Sequence, residues 1–587
     1  MKNKRIILKS ILKYMPIYIL ALSFLLVLQY TNSLTGLFVG EVLGILNNDK
    51  HILPDFLVKF INASSKKESI ISVALIYVVV SLIGIICNFA SRFIKWLHSE
   101  CLTINLSKKY YKHVLDIPKS EYAKRSTGDI IQRNTEDCKR IGALFNYSLF
   151  EVFRVIFTVI TVLSQIYMLN KIIFIVSAVA LVICFSFAWY FGYHKFKPRE
   201  LQSSKYYSQL NSTIQQSVTN YSLVKSFSNE EYEYDKFKEI NDKKEHNNYY
   251  VSNLHCTYWL ISDTLNTFYT VTCFVFLGIA FFKHTISLAA VSALVVLVKR
   301  VLSNAPRLVN YITAFVRTFI ASSRLNEYFK IESEYKNDGE INRVINGNIQ
   351  FNDVCMKYDG EDILKNISFT IKEGETLGIV GKSGSGKTSI VNLLTKLDDY
   401  HSGSIKIDGI ELKDYKKKCI RENIGVVLQD AYIFSKTVKE NLLILLDDDR
   451  IDLDMYLKRV SLDEDINKFE SGLETVVGER GVTLSGGQRQ RLSLLRTIIK
   501  DKKILILDDT LSAVDNIVAR KTKNSISKQK ATTIIISHNL LNVQDADKII
   551  VLEDGKIAQM GTHEDLLTQE GFYSSVWNIQ QMMEEEE

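Results

Sequence analysis

A six-helix α-helical transmembrane domain followed by an α/β P-loop domain is the fold class that this 587-residue sequence predicts. Three observations carry it. Six apolar stretches, each of about 20 residues or more and so able to span a bilayer as a helix, fall in the first part of the chain. A glycine-rich run from Gly381 to Thr388 then sits between an apolar strand pattern and a helix pattern. About a hundred residues later comes Leu484, Ser485, Gly486, Gly487 and Gln488, a second glycine-bearing run and a much rarer one. Hydrophobic residues make up 47% of the chain and charged residues only 23%, and the length admits two or more domains.

The spans are expected at about 15–40, 70–94, 146–168, 171–192, 257–282 and 286–308. Ile172 to Phe191 carries no charge at all, which a soluble bundle helix rarely tolerates. Before the first span, Arg5 to Lys13 alternates as an amphipathic helix and is expected to lie along the inner membrane surface. Basic residues crowd Lys2 to Arg5, Lys108 to Arg140 and Lys195 to Lys244, whereas the third-to-fourth connection offers only Lys171. By the positive-inside rule both termini are cytoplasmic. The connections at about 97–145 and 193–256 are helical in pattern and too long for turns. The formal net charge of +7 sits in these membrane-proximal segments, so anionic membrane lipid is the expected partner and nucleic acid is not.

Intramembrane charge is costly and usually faces a cavity or a partner. The last span carries Lys299, Arg300 and Arg307, and at 100° per residue Arg300, Asn304, Arg307 and Tyr311 share one helical face. That stripe is a candidate wall for a ligand with an anionic or polar group, and Asp263 in the fifth span, at a similar depth, is a candidate neutraliser. Gln29 to Asn32 in the first span is polar too, as cavity wall or as glue between helices. Eight cysteines, at 87, 101, 138, 184, 256, 273, 355 and 419, show no paired spacing, so neither a disulfide framework nor a zinc site is implied.

The domain boundaries read 1–330 for the membrane half, 331–347 for a polar linker, 348–577 for the second domain and 578–587 for an acidic, solvated tail. In the second domain, Glu375 to Val380 reads as a buried strand and Thr388 to Leu397 as a helix. Between them Gly381, Lys382, Ser383, Gly384, Ser385, Gly386, Lys387, Thr388 and Ser389 form a loop whose backbone N–H groups turn inward on a polyphosphate. Lys387 is suited to the β- and γ-phosphates and Thr388 to magnesium. Asp508, closing the apolar strand Ile504 to Leu507, is suited to hold that magnesium through water.

With those motifs in place, residues 348–577 resemble the nucleotide-binding domain of ABC transporters. The resemblance implies that Tyr358 stacks on adenine, that Gln429 senses the metal and the attacking water, and that His538 contacts the γ-phosphate. It implies that Asp515 lies on a loop crossing a dimer interface and that Glu479 lies on a loop facing the membrane part. It further implies ATP and Mg2+ as cofactors, the metal held by Thr388, Gln429 and Asp508. Ser485, Gly486, Gly487 and Gln488 would close over the ATP of an opposing domain, so a second half-transporter is required. The long connections resemble the intracellular extensions of type IV exporters, with docking helices near Ser126 to Asp129 and Asn220 to Leu223; Gln216 and Asn220 depart from the family pattern.

In that family the residue after Asp508 is a catalytic glutamate, and here it is Asp509, whose carboxylate is withdrawn by about 1.5 Å. With Gln429 and His538 it completes the expected catalytic set. The pattern resembles the degenerate-site subunit of heterodimeric bacterial multidrug exporters. It implies an exporter half-subunit in the cell membrane that moves a drug-like, lipid or peptide substrate and hydrolyses ATP weakly at its own site. A heterodimer is favoured over a homodimer. The competing readings are a regulatory nucleotide-binding subunit and a homodimeric lipid flippase. Soluble ATPases of chromosome maintenance, which also carry this rare run, are excluded by the six spans.

Overall fold

The computed structural model describes residues 5–585 apart from 62–64, 304–306, 359, 445–450, 479–480, 482, 511–515 and 528–529. Lys2, Asn304, Glu479 and Asp515, and the last two residues of the acidic tail, therefore lie outside the described residues. The chain divides into two units, residues 1–117 with 123–332, and residues 118–122 with 333–587.

The first unit is helical. Among the described residues five helical stretches, Ile6–Asn47, Lys66–Leu115, Thr127–Leu169, Lys171–Thr219 and Glu230–Phe282, are long and apolar enough to cross a membrane. The sixth expected span appears as the shorter helix Leu288–Val301, with Leu308–Lys330 resuming beyond 304–306. Apolar side chains cover the outside: Ile86, Phe89, Val182 and Leu260 are 65–73% exposed, as expected of a lipid-facing surface. Inside, small residues let helices approach. A Cβ on Gly40 would lie 2.5 Å from the Ala289 carbonyl oxygen, so the first helix packs backbone-close against Leu288–Val301. Polar glue joins the same bundle: Thr158 donates to Gln29 Oε1 (2.8 Å) and Gln165 to Ser33 Oγ (2.7 Å).

Three expectations need correction. The segment Arg5 to Lys13 is no separate surface helix: Arg5–Asn47 is continuous through Pro16, and Ser10, fully buried, accepts from Lys109 Nζ at 2.8 Å. Arg300 and Arg307 do not share one unbroken helix among the described residues, because Leu288–Val301 ends between them. Asp263 is exposed, and among the described residues no ion pair joins it to an arginine; Arg300 instead donates to the Asn32 carbonyl. The first long connection carries two short helices, Lys119–Ala123 and Thr127–Gln132, the second N-capped by Ser126 within the stretch Ser126 to Asp129.

The residues near Ser126 serve a local purpose. Tyr328 donates to Asp129 Oδ2 at 2.5 Å, and buried Asp137 accepts from Arg133 at 3.2 Å and Arg324 at 2.9 Å. Arg317 grips Glu200 through Nε (2.7 Å) and Nη2 (2.5 Å). The helix Leu308–Lys330 is thereby tied to both long connections.

Among the described residues the second unit holds ten strands: β1 Ile349–Tyr358, β2 Glu361–Ile371, β3 Thr376–Gly381, β4 Ser402–Ile407, β5 Ile410–Glu411, β6 Ile424–Val427, β7 Ile504–Asp508, β8 Thr532–Ile536, β9 Lys548–Glu553 and β10 Lys556–Gly561. One sheet runs β2-β1-β4-β5 and is antiparallel; the other runs β10-β9-β3-β8-β7-β6, parallel except at β10. β7 and β8 are buried at every position, and Ile504 to Leu507 and Ile534 to Ile536 supply the apolar runs that parallel strands covered on both faces need. The linker is not free. Arg421 grips Glu334 through both guanidinium nitrogens (2.7 and 2.9 Å), and Asp338 accepts from the Lys417 backbone N–H at 2.9 Å. At the other end the helix Phe572–Glu585 enters the stretch expected as a solvated tail, with Trp577 buried.

Candidate functional site

The register of the parallel sheet assembles the site. Asp508 pairs with Ile536, Ile379 with Ile536, and Val427 with Leu507, so the carboxyl ends of β3, β8, β7 and β6 fall along one edge. Ligands bind at that edge in open parallel sheets. The glycine loop follows β3 there, Gln429 stands just past β6, Asp508 and Asp509 end β7, and His538 stands just past β8.

The loop itself needs its glycines. Gly386 has φ +100, and a Cβ there would meet Leu364 Cδ2 at 2.7 Å; at Gly381 it would lie 2.2 Å from the Leu552 carbonyl oxygen. Gly386 N-caps the helix Lys387–Leu394 without a side-chain cap, which leaves the helix terminus to an external anion. Ser385 Oγ is buried without a hydrogen-bond partner, a second sign of a missing polar ligand. Lys387 Nζ donates to the carbonyls of Gly381 and Lys382, both at 2.8 Å, and so holds the loop folded. Burial lowers the Lys387 pKa, and the nearby Asp508 and Asp509 oppose that. Asp508 is raised chiefly by burial, against the hydrogen bond from Thr388, whose Oγ1 donates to Oδ2 at 3.3 Å.

Asp509 joins three strand ends. Its backbone is left-handed (φ +50) and its N–H donates to the Ile536 carbonyl at 2.8 Å. Its carboxylate accepts from Gln429 Nε2 at 3.3 Å and from the His538 N–H at 3.5 Å. The His538 ring is exposed. Tyr358, 47% exposed, ends β1 beside the loop, since Met356 of that strand pairs with Leu364, the residue against Gly386.

Ser485 caps the helix Gly486–Ile498 reciprocally with Gln488: Ser485 Oγ accepts from the Gln488 N–H (3.2 Å) and Gln488 Oε1 from the Ser485 N–H (2.9 Å). Among the described residues none of these hydrogen bonds reaches Gly381–Ser389. Sequence reasoning missed Asp465, which accepts from Gln488 Nε2 (3.1 Å) and Arg491 Nη2 (2.7 Å) and so fixes the capping glutamine. Only the Ser-x-x-Gln spacing hinted at such a cap.

Comparison with known proteins places this geometry. Residues 364–512 match the family described as ABC transporter, and residues 18–305 match the ABC transporter transmembrane region. A Bacillus subtilis protein named for multidrug export, the ATP-binding/permease protein YgaD, is 27% identical over 91% of this chain and 93% of its own length. An ATP-dependent lipid A-core flippase of Haemophilus influenzae is 28% identical over 86% of this chain and 87% of its own. The structure of a bacterial Atm1-family ABC exporter with ATP bound superimposes with a TM-score of 0.82, at 19% identity, covering 97% of this chain and 99% of that one.

Proposed function

This chain belongs to the ABC transporter family, with a transmembrane region and an ATP-binding domain in one polypeptide, and from that membership we propose that it is half of an exporter whose own site binds ATP and hydrolyses it slowly. The observation that carries this reading is Asp509, set after Asp508 and held against Gln429 and the His538 backbone. A general base must reach the water it polarises. Aspartate falls short of glutamate by about 1.5 Å, and a misplacement of about 1 Å costs on the order of a hundredfold in rate.

The rest of the site is equipped to bind. Tyr358 offers its ring to a base, and the loop from Gly381 to Ser389 offers N–H groups to phosphate. Lys387, already among loop carbonyls, is placed to exchange them for phosphate oxygens. Thr388, Asp508 and Gln429 would hold Mg2+, which when bound supplies charge neutralisation for the phosphates. The hydrogen bond between Thr388 and Asp508 fits such a pair, and Ser385 Oγ, buried without a partner, fits a phosphate-lined cradle. Gln429 and Asp509 would orient water, and His538 would approach the γ-phosphate.

Ser485 and Gly486 stand exposed and Gly487 half-buried at a helix terminus, suited to close over ATP held by a second half-transporter. An intact Ser485–Gln488 run beside a shortened base favours a heterodimer, in which this chain completes the partner's competent site. Basic residues on the long connections favour cytoplasmic termini. A homodimeric flippase is the second reading, favoured by relatives named for lipid A-core flipping. The substrate class is drug-like, lipid or peptide. ATPase measured on the chain alone and beside a half-transporter carrying the glutamate separates the readings: activity only in the mixture supports the heterodimer, and full activity alone rejects it.

A further inference from the structure

The last helix, Phe572–Glu585, reaches the loop that carries His538. Gln580 Nε2 donates to the His538 carbonyl at 3.1 Å, and Gln580 Oε1 accepts from the Leu540 N–H at 2.9 Å, so one side-chain amide bridges two peptide groups of that loop. Residue chemistry makes the bridge specific. A carboxylate only accepts and an ammonium only donates, whereas an amide offers one of each from a single side chain. On the other side, the His538 N–H donates to Asp509 Oδ1 at 3.5 Å. Ser537 strengthens the hold: its N–H donates to the Ile379 carbonyl at 3.3 Å, and its Oγ accepts from the Asn539 N–H at 3.1 Å and from Asn542 Nδ2 at 3.3 Å. The backbone on both sides of His538 is therefore bonded while its ring is exposed.

Packing aims the amide. Tyr573, Trp577 and Gln580 stand four and then three residues apart, and so share one helical face. Tyr573 is fully buried with its hydroxyl hydrogen-bonded to His563 Nδ1 at 2.7 Å, and the centroids of the Trp577 and His563 rings are 4.5 Å apart. These contacts fix the rotation of the helix, and Gln580 follows about one turn on. Ile579 beside it is 55% exposed. Reacting groups need such support, since a misplacement of about 1 Å costs on the order of a hundredfold in rate.

We propose that Gln580 is a positioning residue for ATP hydrolysis, holding the His538 peptide so that the ring meets the γ-phosphate. The inference rests on the ATP-site reading above, which gives His538 that contact, and it brings into the site a helix that enters the stretch expected as a solvated tail.

The test is single-turnover hydrolysis by the full-length Asp509→Glu chain in lipid with Mg2+, read beside the affinity of a fluorescent ATP analogue. Gln580→Leu keeps the bulk and loses both hydrogen bonds, and Gln580→Glu sets negative charge against the His538 carbonyl. Each is expected to slow hydrolysis by about tenfold and to leave affinity within about twofold. Ile579→Ala, on the exposed side of the same helix, should change neither. Because Gln580 acts through His538, adding Gln580→Leu to His538→Ala should slow hydrolysis no further than His538→Ala alone. An unchanged rate in Gln580→Leu, a loss of affinity as large as the loss of rate, or losses that multiply in the double variant overturn the proposal. The two readings fail separately. No hydrolysis in the Asp509→Glu chain, or no effect of His538→Ala, contradicts the ATP-site reading and this inference with it, while slowing by His538→Ala without slowing by Gln580→Leu contradicts this inference alone.

Discussion

Gln429 Nε2 donates to Asp509 Oδ2 at 3.3 Å, across the ends of two neighbouring strands. The carboxylate is therefore engaged with the side chain that, on the proposed reading, positions water, and is set back from where a glutamate would reach. Asp509→Glu is expected to raise single-turnover hydrolysis at this site by about tenfold or more, measured with the partner's own base disabled. The left-handed backbone at 509, which aspartate tolerates better than glutamate, should lower stability by no more than about 1 kcal/mol.

Lys387 holds the loop carbonyls of Gly381 and Lys382 and, on the proposed reading, exchanges them for phosphate oxygens. Lys387→Ala removes charge-assisted hydrogen bonds, each about 1.5–3 kcal/mol. Fluorescent ATP-analogue titration should show affinity weakened by roughly tenfold to a hundredfold.

Ser485→Ala deletes the cap of Gly486–Ile498 and should cost about 1 kcal/mol of domain stability. Its larger effect is expected in the partner's site, with turnover falling about a hundredfold as one donor to developing negative charge is lost. Asp465→Ala, which touches only Gln488 and Arg491 among these groups, should produce a smaller loss of the same kind, read by the same ATPase assay.

Glu334 is pushed up by burial, but its hydrogen bonds and charge pairing with Arg421 outweigh this and leave its pKa lowered. A carboxylate lowered on folding contributes stability that is full above its unfolded value, 4.5, and is lost as pH falls through the lower folded value. Glu334→Gln should therefore destabilise the nucleotide-binding domain by about 2 kcal/mol at neutral pH, between the surface and buried limits for ion pairs. The deficit should shrink below pH 4.5, as thermal melting across pH would show.

The elements of the proposed nucleotide site were legible because they are written in short, contiguous runs: Gly381 to Ser389 needs its glycines for backbone reasons, and Asp508 closes an apolar strand with Asp509 next in sequence. What joined them, the alignment of β3, β8, β7 and β6 at one edge, depends on pairing between strands far apart in sequence, which no local pattern encodes. The membrane half was legible in its span positions but not in its details. Helix continuity through Pro16 overrides a local amphipathic pattern because Ile7 and Ser10 find burial against the helix bearing Lys109. The end of Leu288–Val301 broke a face that uniform helical spacing had drawn through Arg300 and Arg307. Lys119–Ala123 was overlooked because five residues carry too little periodicity to announce a helix.

The most direct test of slow hydrolysis at an intact binding site is the identity of the nucleotide retained on the chain, purified in lipid with Mg2+, after one incubation with labelled ATP. Mostly unhydrolysed ATP is expected on the wild-type protein and mostly ADP on Asp509→Glu. Wild-type protein that retains ADP, releasing phosphate as fast as the glutamate variant, would contradict the role assigned to Asp509.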